Sequence, residues 1–265
     1  MNKILKLIFI FLVFSSFHPS EKETTLKEPI ASISTPSTLP ITLPQLQGEL
    51  YLRSLFAQFP SNSFSWEAFK YAMLGKQSLE ENTNFSKPNI LTIIDFSKPS
   101  TEERLFVVDL KELKILTQSL VAHGRNSGEN FAKNFSNDSG SFESSLGFYK
   151  TAETYYGSKG FSMRLDGLEK NINCQARSRA IVVHAADYVS KSFAQAHGRL
   201  GRSQGCPALP KELTQKIIQQ ITGGSLLFIY AQVDQYINTS KVLKSSDINA
   251  FIEPSTEEPS ALVKG

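Results

Sequence analysis

Two short segments of this 265-residue chain carry residue types suited to acyl transfer. Cys206 stands in Gly201-Arg202-Ser203-Gln204-Gly205-Cys206-Pro207-Ala208-Leu209-Pro210, a thiol on a tight Gly/Ser/Pro turn, and a strand-like Ile181-Val182-Val183-His184 precedes it. A free thiol, with a pKa of about 8.5, is only a few per cent ionised at neutral pH, so it needs a base or a positive field beside it. His184, at the end of a predicted buried strand, is the candidate base, and Arg202 is a charge able to lower the thiol pKa. Gly205 would let a substrate carbonyl approach the backbone, and the N–H groups of Gly205 and Cys206 could receive the oxyanion of a tetrahedral intermediate. Pro207 and Pro210 stiffen the backbone on the C-terminal side of the thiol.

Other readings of the same residues stay open at this level. Cys206 could be a half-cystine with Cys174, which lies in the polar loop Asn171-Ile172-Asn173-Cys174 and has no base beside it in sequence. Of the four histidines, His18 falls in the N-terminal region, His123 ends a strand and is expected as a hydrogen-bonded structural residue, and His197 precedes Gly198 at a helix end. A zinc site from His123, His184, His197 and Cys206 is compatible with the spacing, but no H-E-x-x-H or paired-cysteine pattern supports it. No metal or other cofactor is expected.

The elements that must position these groups follow from the pattern of the chain. Lys3 and Lys6, the apolar run Leu7 to Phe14, and Ser15-Ser16 have the layout of a secretory signal over residues 1–20, too short to span a bilayer comfortably, so the protein is expected to be exported to the periplasm or cell envelope. The formal net charge of +3, two lower without Lys3 and Lys6, gives no argument for nucleic acid, or for a membrane surface beyond the signal segment. Residues 21–45, rich in Pro, Ser and Thr, read as a disordered linker, and residues 239–265 as a flexible polar tail. Between them, residues 46–238 form one expected domain.

Within that domain, Leu46 to Phe59 and Ser65 to Leu79 have helical spacing, the second with Ser65 as N-cap. Ile90 to Phe96, Arg104 to Leu110 and Ile115 to His123 read as an antiparallel meander. Further strands are predicted near Leu146 to Tyr149, Phe161 to Leu165, Arg179 to His184 and Leu226 to Ala231, and Pro210 opens a last helix closed by Gly223-Gly224. The fold class is mainly β with peripheral helices (α+β).

Ile181-Val182-Val183-His184-Ala185-Ala186-Asp187-Tyr188-Val189-Ser190 followed by Gly198 to Pro210 resembles the signature of the murein L,D-transpeptidases with the YkuD-type catalytic domain, in the branch whose cysteine motif reads S-x-G-C-P. The similarity extends upstream through Val121 to Gly128, Phe135-Ser136-Asn137 and Ser144 to Tyr149, and so covers most of the chain from about Ile90 to about Tyr230. The resemblance implies antiparallel sheets with an N-terminal helical segment, and a cysteine enzyme acting on peptidoglycan stem peptides as donor and acceptor. Carried onto this sequence, Cys206 attacks the carbonyl on the L-centre of the third residue of a tetrapeptide and expels the terminal D-alanine, with His184 as base. Gly205 and Cys206 supply the oxyanion hole, and Ser203, Arg202, Gln204 and Ser145 line the substrate site. An amine of a neighbouring stem then opens the thioester to give a 3→3 crosslink, or water opens it in a carboxypeptidase reaction.

Three features depart from the wider family: Gln204 stands where a second histidine is common, Ala185 follows the catalytic histidine where glycine is usual, and the His-to-Cys separation of 22 residues is long. The alternatives are an L,D-carboxypeptidase or crosslink-cleaving relative, a catalytically silent peptidoglycan-binding protein with a Cys174–Cys206 disulfide, and a metal-dependent hydrolase.

Overall fold

The structure, a computed structural model, describes residues 42–252. The expected signal segment and most of the expected linker lie outside these residues. Helix α1 (Leu43–Phe56) starts three residues earlier than the spacing of Leu46 to Phe59 predicts, because Thr42 and Gln45 close a capping box and Pro44 suits the first turn. In the box, the Gln45 N–H donates to Thr42 Oγ1 at 3.4 Å and the Thr42 N–H to Gln45 Oε1 at 3.0 Å. Helix α2 (Trp66–Glu80) is capped by Ser65, whose own N–H donates to Asp95 Oδ2 at 2.8 Å, and buries Ala68, Phe69, Ala72 and Leu79. It packs closely at Gly75, where a Cβ would collide with the Phe148 ring.

The strands are β1 (Ile90–Asp95), β2 (Leu105–Asp109), β3 (Lys114–Ser119), β4 (Gly147–Gly157), β5 (Gly160–Gly167), β6 (Val182–Ala185), β7 (Ala208–Leu209) and β8 (Leu226–Tyr230). They lie in the order β3-β2-β1-β8-β4-β5-β6-β7. The expected meander holds: β1, β2 and β3 pair antiparallel. Two pairings are parallel, β1 with β8 and β6 with β7. Strand β8 is buried at every position, as a central strand covered on both faces must be, and Phe228 stacks on Phe148 of β4 with ring centroids 4.3 Å apart. Helix α4 (Lys211–Ile221) packs on the sheet through Ile217, Ile218 and Ile221, and helix α3 (Lys191–His197) ends at Gly198 in the left-handed conformation.

The flexible tail expected from residue 239 on does not hold for the part that is described. Helices α5 (Asp234–Thr239) and α6 (Lys241–Ser245) and a 3-10 turn (Ile248–Phe251) follow in order. Ser240 is buried and its hydroxyl donates to Glu169 Oε1. Tyr236 Oη donates to the other carboxylate oxygen of Glu169 at 3.0 Å, and the Ser78 and Ser245 hydroxyls meet at 2.7 Å. Polar composition misled here because few residues anchor the segment: Ser240 bonds a buried acid, Val242 and Leu243 pack against the core, and Ile248 lies against Gly48. Residues 253–265 lie outside the described part. Among the described residues, no helix is long and apolar enough to cross a membrane.

Candidate active site

The β6–β7 edge brings the candidate residues Cys206 and His184 together. Parallel pairing sets His184 opposite Ala208 and so brings Cys206 alongside Val182, whose N–H donates to the Cys206 sulfur at 3.5 Å. The chain leaving β3 turns away from β2 and binds the cysteine segment instead: Ala122 and Ala208 exchange backbone hydrogen bonds of 2.9 and 3.3 Å, and Ser203 N–H donates to His123 O at 2.9 Å. The strand expected through His123 thus stops at Ser119, and residues 120–125 become the brace of the nucleophile loop.

Ser203 folds that loop. Its buried hydroxyl accepts the Gly205 N–H at 3.0 Å and donates to Cys206 O at 2.7 Å. The Gly205 carbonyl in turn accepts from Ser144 Oγ at 3.1 Å. Gly205 has φ +122°, and a Cβ there would lie 2.8 Å from Glu143 O and 3.0 Å from the Ile181 Cδ1. Glycine is required by the backbone angle and by packing against the protein, not by the approach of a substrate carbonyl. Its N–H, spent on Ser203, is not free for an oxyanion, which corrects the expected role of Gly205. Among the described residues the Cys206 N–H has no intramolecular acceptor, and it remains the donor available to developing negative charge.

The resting thiol faces the Ala180 carbonyl at 3.6 Å. Burial raises its pKa, against the opposing pull of the Val182 N–H and the Arg179 charge. Arg179 lies behind the loop, where its guanidinium donates to Ser136 O and Ser145 Oγ at 2.7 Å, to Glu143 O at 2.8 Å and to Ser141 Oγ at 3.1 Å. The imidazole of His184, 6% exposed, is oriented by its neighbour. Nδ1 stands 2.9 Å from Ala185 O, and since a carbonyl only accepts, Nδ1 carries the proton and Nε2 the lone pair. The carbonyl that a glycine usually supplies is thus supplied by Ala185. Burial lowers the His184 pKa, the bond to Ala185 opposes this, and the charge of Lys159 adds to the depression. With the thiol shifted up and the imidazole down, both groups favour their neutral forms over an ion pair.

Both side chains line one open cavity of about 390 Å³. Of the other residues expected there, Ser203, Arg202 and Gln204 line it. Ser203 is committed to the loop, Gln204 is exposed, and Arg202 donates to Glu129 at 2.6 Å and to the Arg125 and Gly128 carbonyls at 3.2 Å. Ser145 does not line the cavity: it is buried, donates to Ser136 O at 2.7 Å and accepts from Arg179, so its expected contact with substrate gives way to holding Arg179 in place. Sequence reasoning missed Tyr188, whose phenol pKa burial and the Cys206 sulfur push up to about 12, along with Tyr155, Lys159 and Arg125. Tyr188 was in view four residues after His184. Lys159 had only the signal of a hairpin tip, Ser158-Lys159-Gly160.

The competing arrangements do not form. Cys174 and Cys206 are both free thiols, which removes the disulfide, and exposed Cys174 instead accepts from Asn137 Nδ2 at 3.4 Å. The four proposed zinc ligands do not converge. His123 is buried, accepts at Nδ1 from Arg104 at 2.7 Å and donates from Nε2 to Gly128 O at 3.2 Å; burial and the Arg104 charge lower its pKa to about 4, so it is the neutral structural residue expected. Exposed His197 caps α3 by donating to Phe193 O at 3.0 Å. Among the described residues, no three His, Cys, Asp or Glu side chains are grouped closely enough to hold a metal ion.

A family model described as the L,D-transpeptidase catalytic domain matches residues 60–230. Solved structures similar to this chain include an L,D-transpeptidase from Mycobacterium smegmatis, 12% identical with a TM-score of 0.35 over 54% of this chain and 59% of that one. L,D-transpeptidase 3 from Mycobacterium tuberculosis is 12% identical with a TM-score of 0.33 over 54% and 61%. An L,D-transpeptidase from Stackebrandtia nassauensis is 12% identical with a TM-score of 0.33 over 71% and 90%. The chain thus spans less than two thirds of the length of the two mycobacterial proteins. No curated protein matches it in sequence.

Proposed function

We infer, given that this chain belongs to the L,D-transpeptidase catalytic-domain family, that it is a cysteine acyltransferase acting on peptidoglycan stem peptides. The observation that carries this reading is the thiol of Cys206 and the oriented imidazole of His184 lining one open cavity. His184 Nε2 takes the thiol proton as sulfur bonds to the carbonyl carbon on the L-centre of the third stem residue. The carbonyl oxygen becomes an oxyanion beside the Cys206 N–H. Collapse breaks the C–N bond, the proton on His184 passes to the leaving nitrogen, and D-alanine departs from a thioester. An acceptor amine, losing its proton to His184, attacks that thioester and forms the 3→3 crosslink, and the thiol regains the proton. Water in place of the amine yields the free tripeptide, an L,D-carboxypeptidase reaction.

Export supports the same substrate, since the lysines and apolar run of residues 3–14 have the composition of a secretory signal and peptidoglycan lies outside the cytoplasm. Incubation of the purified protein with disaccharide-tetrapeptides tests the reading. Crosslinked dimers with release of D-alanine are expected. Tripeptides without dimers would leave hydrolysis and refute transfer, and unchanged tetrapeptide would refute both.

A further inference from the structure

Two cavities meet at His184. One holds Cys206; the other, of about 470 Å³, is bordered by Gly160, Asp187 and Lys211, and both are lined by His184, Tyr188 and Lys159. The cations around them are not equivalent. Arg202 is paired with Glu129, and Lys211 with Asp187. Arg125 lines only the Cys206 side, with its guanidinium 3.9 Å from the centre of the Phe142 ring. Lys159, exposed at the tip of the β4–β5 hairpin, lines both cavities, and among the described residues no carboxylate lies within ion-pairing distance of it. Its charge is felt at the His184 imidazole.

The chemistry of the leaving residue fixes where its own carboxylate falls. The departing nitrogen takes its proton from His184, so it must sit beside that ring. In a terminal amino acid the carboxylate carbon is two bonds further on, about 2.5 Å from that nitrogen. A terminal carboxylate is therefore carried into the region where the two cavities join. Among the described residues, the only acid lining either cavity, Asp187, is already paired with Lys211, and the cation that lines both cavities without an ion-pair partner is Lys159.

We propose, resting on the acyltransferase reading above, that Lys159 receives the free C-terminal carboxylate of the residue expelled. The site then selects donors that end in an unmodified terminal amino acid over donors in which that carboxyl is amidated or continues into another peptide.

Two synthetic tetrapeptides, identical except that one ends in D-alanine and the other in D-alaninamide, test this on the whole protein by quenched-flow mass spectrometry of the acyl-enzyme. Wild type is expected to favour the carboxylate donor by roughly ten- to a hundredfold in kcat/KM, the discrimination that a charge-assisted hydrogen bond supplies. Lys159→Gln should bring the ratio of the two donors close to one, and Lys159→Arg should retain most of it. Equal acylation by both donors in wild type, or an unchanged ratio in Lys159→Gln, overturns the role of Lys159 while leaving Cys206 chemistry intact. Absence of acylation by either donor overturns the acyltransferase reading together with it.

Discussion

Ser203→Ala isolates the part of the site that holds the sulfur without touching it. The Ser203 hydroxyl closes two bonds, 3.0 Å from the Gly205 N–H and 2.7 Å to the Cys206 carbonyl, inside a residue only 5% exposed. Alanine leaves both backbone groups without that partner. A buried polar group that loses its hydrogen bond costs about 1–3 kcal/mol. Gly205 is buried and bears the full penalty, whereas half-buried Cys206 recovers part of it from water, so the expected loss is about 2–4 kcal/mol. For a domain of this size that lowers the melting temperature by roughly 4–16 °C. The same bonds set the direction of the Cys206 N–H and sulfur, and a displacement of about 1 Å at a reacting group is enough for a hundredfold loss of rate. Differential scanning calorimetry and acylation by a tetrapeptide donor measure the two effects on one preparation. A melting temperature and an acylation rate both equal to wild type would refute the claim that Ser203 builds the nucleophile loop.

Gly205→Ala must accommodate both a left-handed φ of +122° and a Cβ 2.8 Å from Glu143 O; about 1–3 kcal/mol of backbone strain plus loss of acylation is expected, read by urea denaturation and adduct mass. The two cysteines should alkylate differently: exposed Cys174 has its pKa lowered by hydrogen bonds at Asn171 and Asn137, while burial raises that of Cys206, so iodoacetamide at neutral pH should label Cys174 first and Cys206 only as pH rises above the ordinary thiol range, as peptide mapping would show. The acylation rate should fall only when pH drops below the usual imidazole range, because the depressed pKa of His184 keeps Nε2 free to accept a proton down to that point; a decline that begins above about pH 6.5 would contradict the assignment of the base.

That Cys206 and His184 line one cavity was legible because each sits in a short segment whose residue types stand out, Gly-Cys-Pro on a turn and a β-branched run ending in His184. The sheet was legible where apolar runs are broken by turn residues, as between Phe96 and Arg104. What local pattern does not encode is which segments meet. Nothing near Ile90 signals a parallel partner in Leu226–Tyr230, and nothing near Leu120 signals that the chain will leave β2 to brace residues 203–208. The same blindness explains the two misplaced roles. Gly205 was read for its lack of a side chain, yet its N–H is taken by Ser203; Ser145 was read as accessible, yet Arg179 claims it. Lys159, one of many surface lysines by composition, acquires meaning only from the cavities that its hairpin overhangs.

Intact-mass analysis of wild type and Cys206→Ala after exposure to a tetrapeptide donor tests the central claim most directly. Wild type should gain the mass of the donor less D-alanine, with the adduct mapped to Cys206, and Cys206→Ala should gain nothing. An adduct that persists in Cys206→Ala, or that maps to Cys174, would contradict the account.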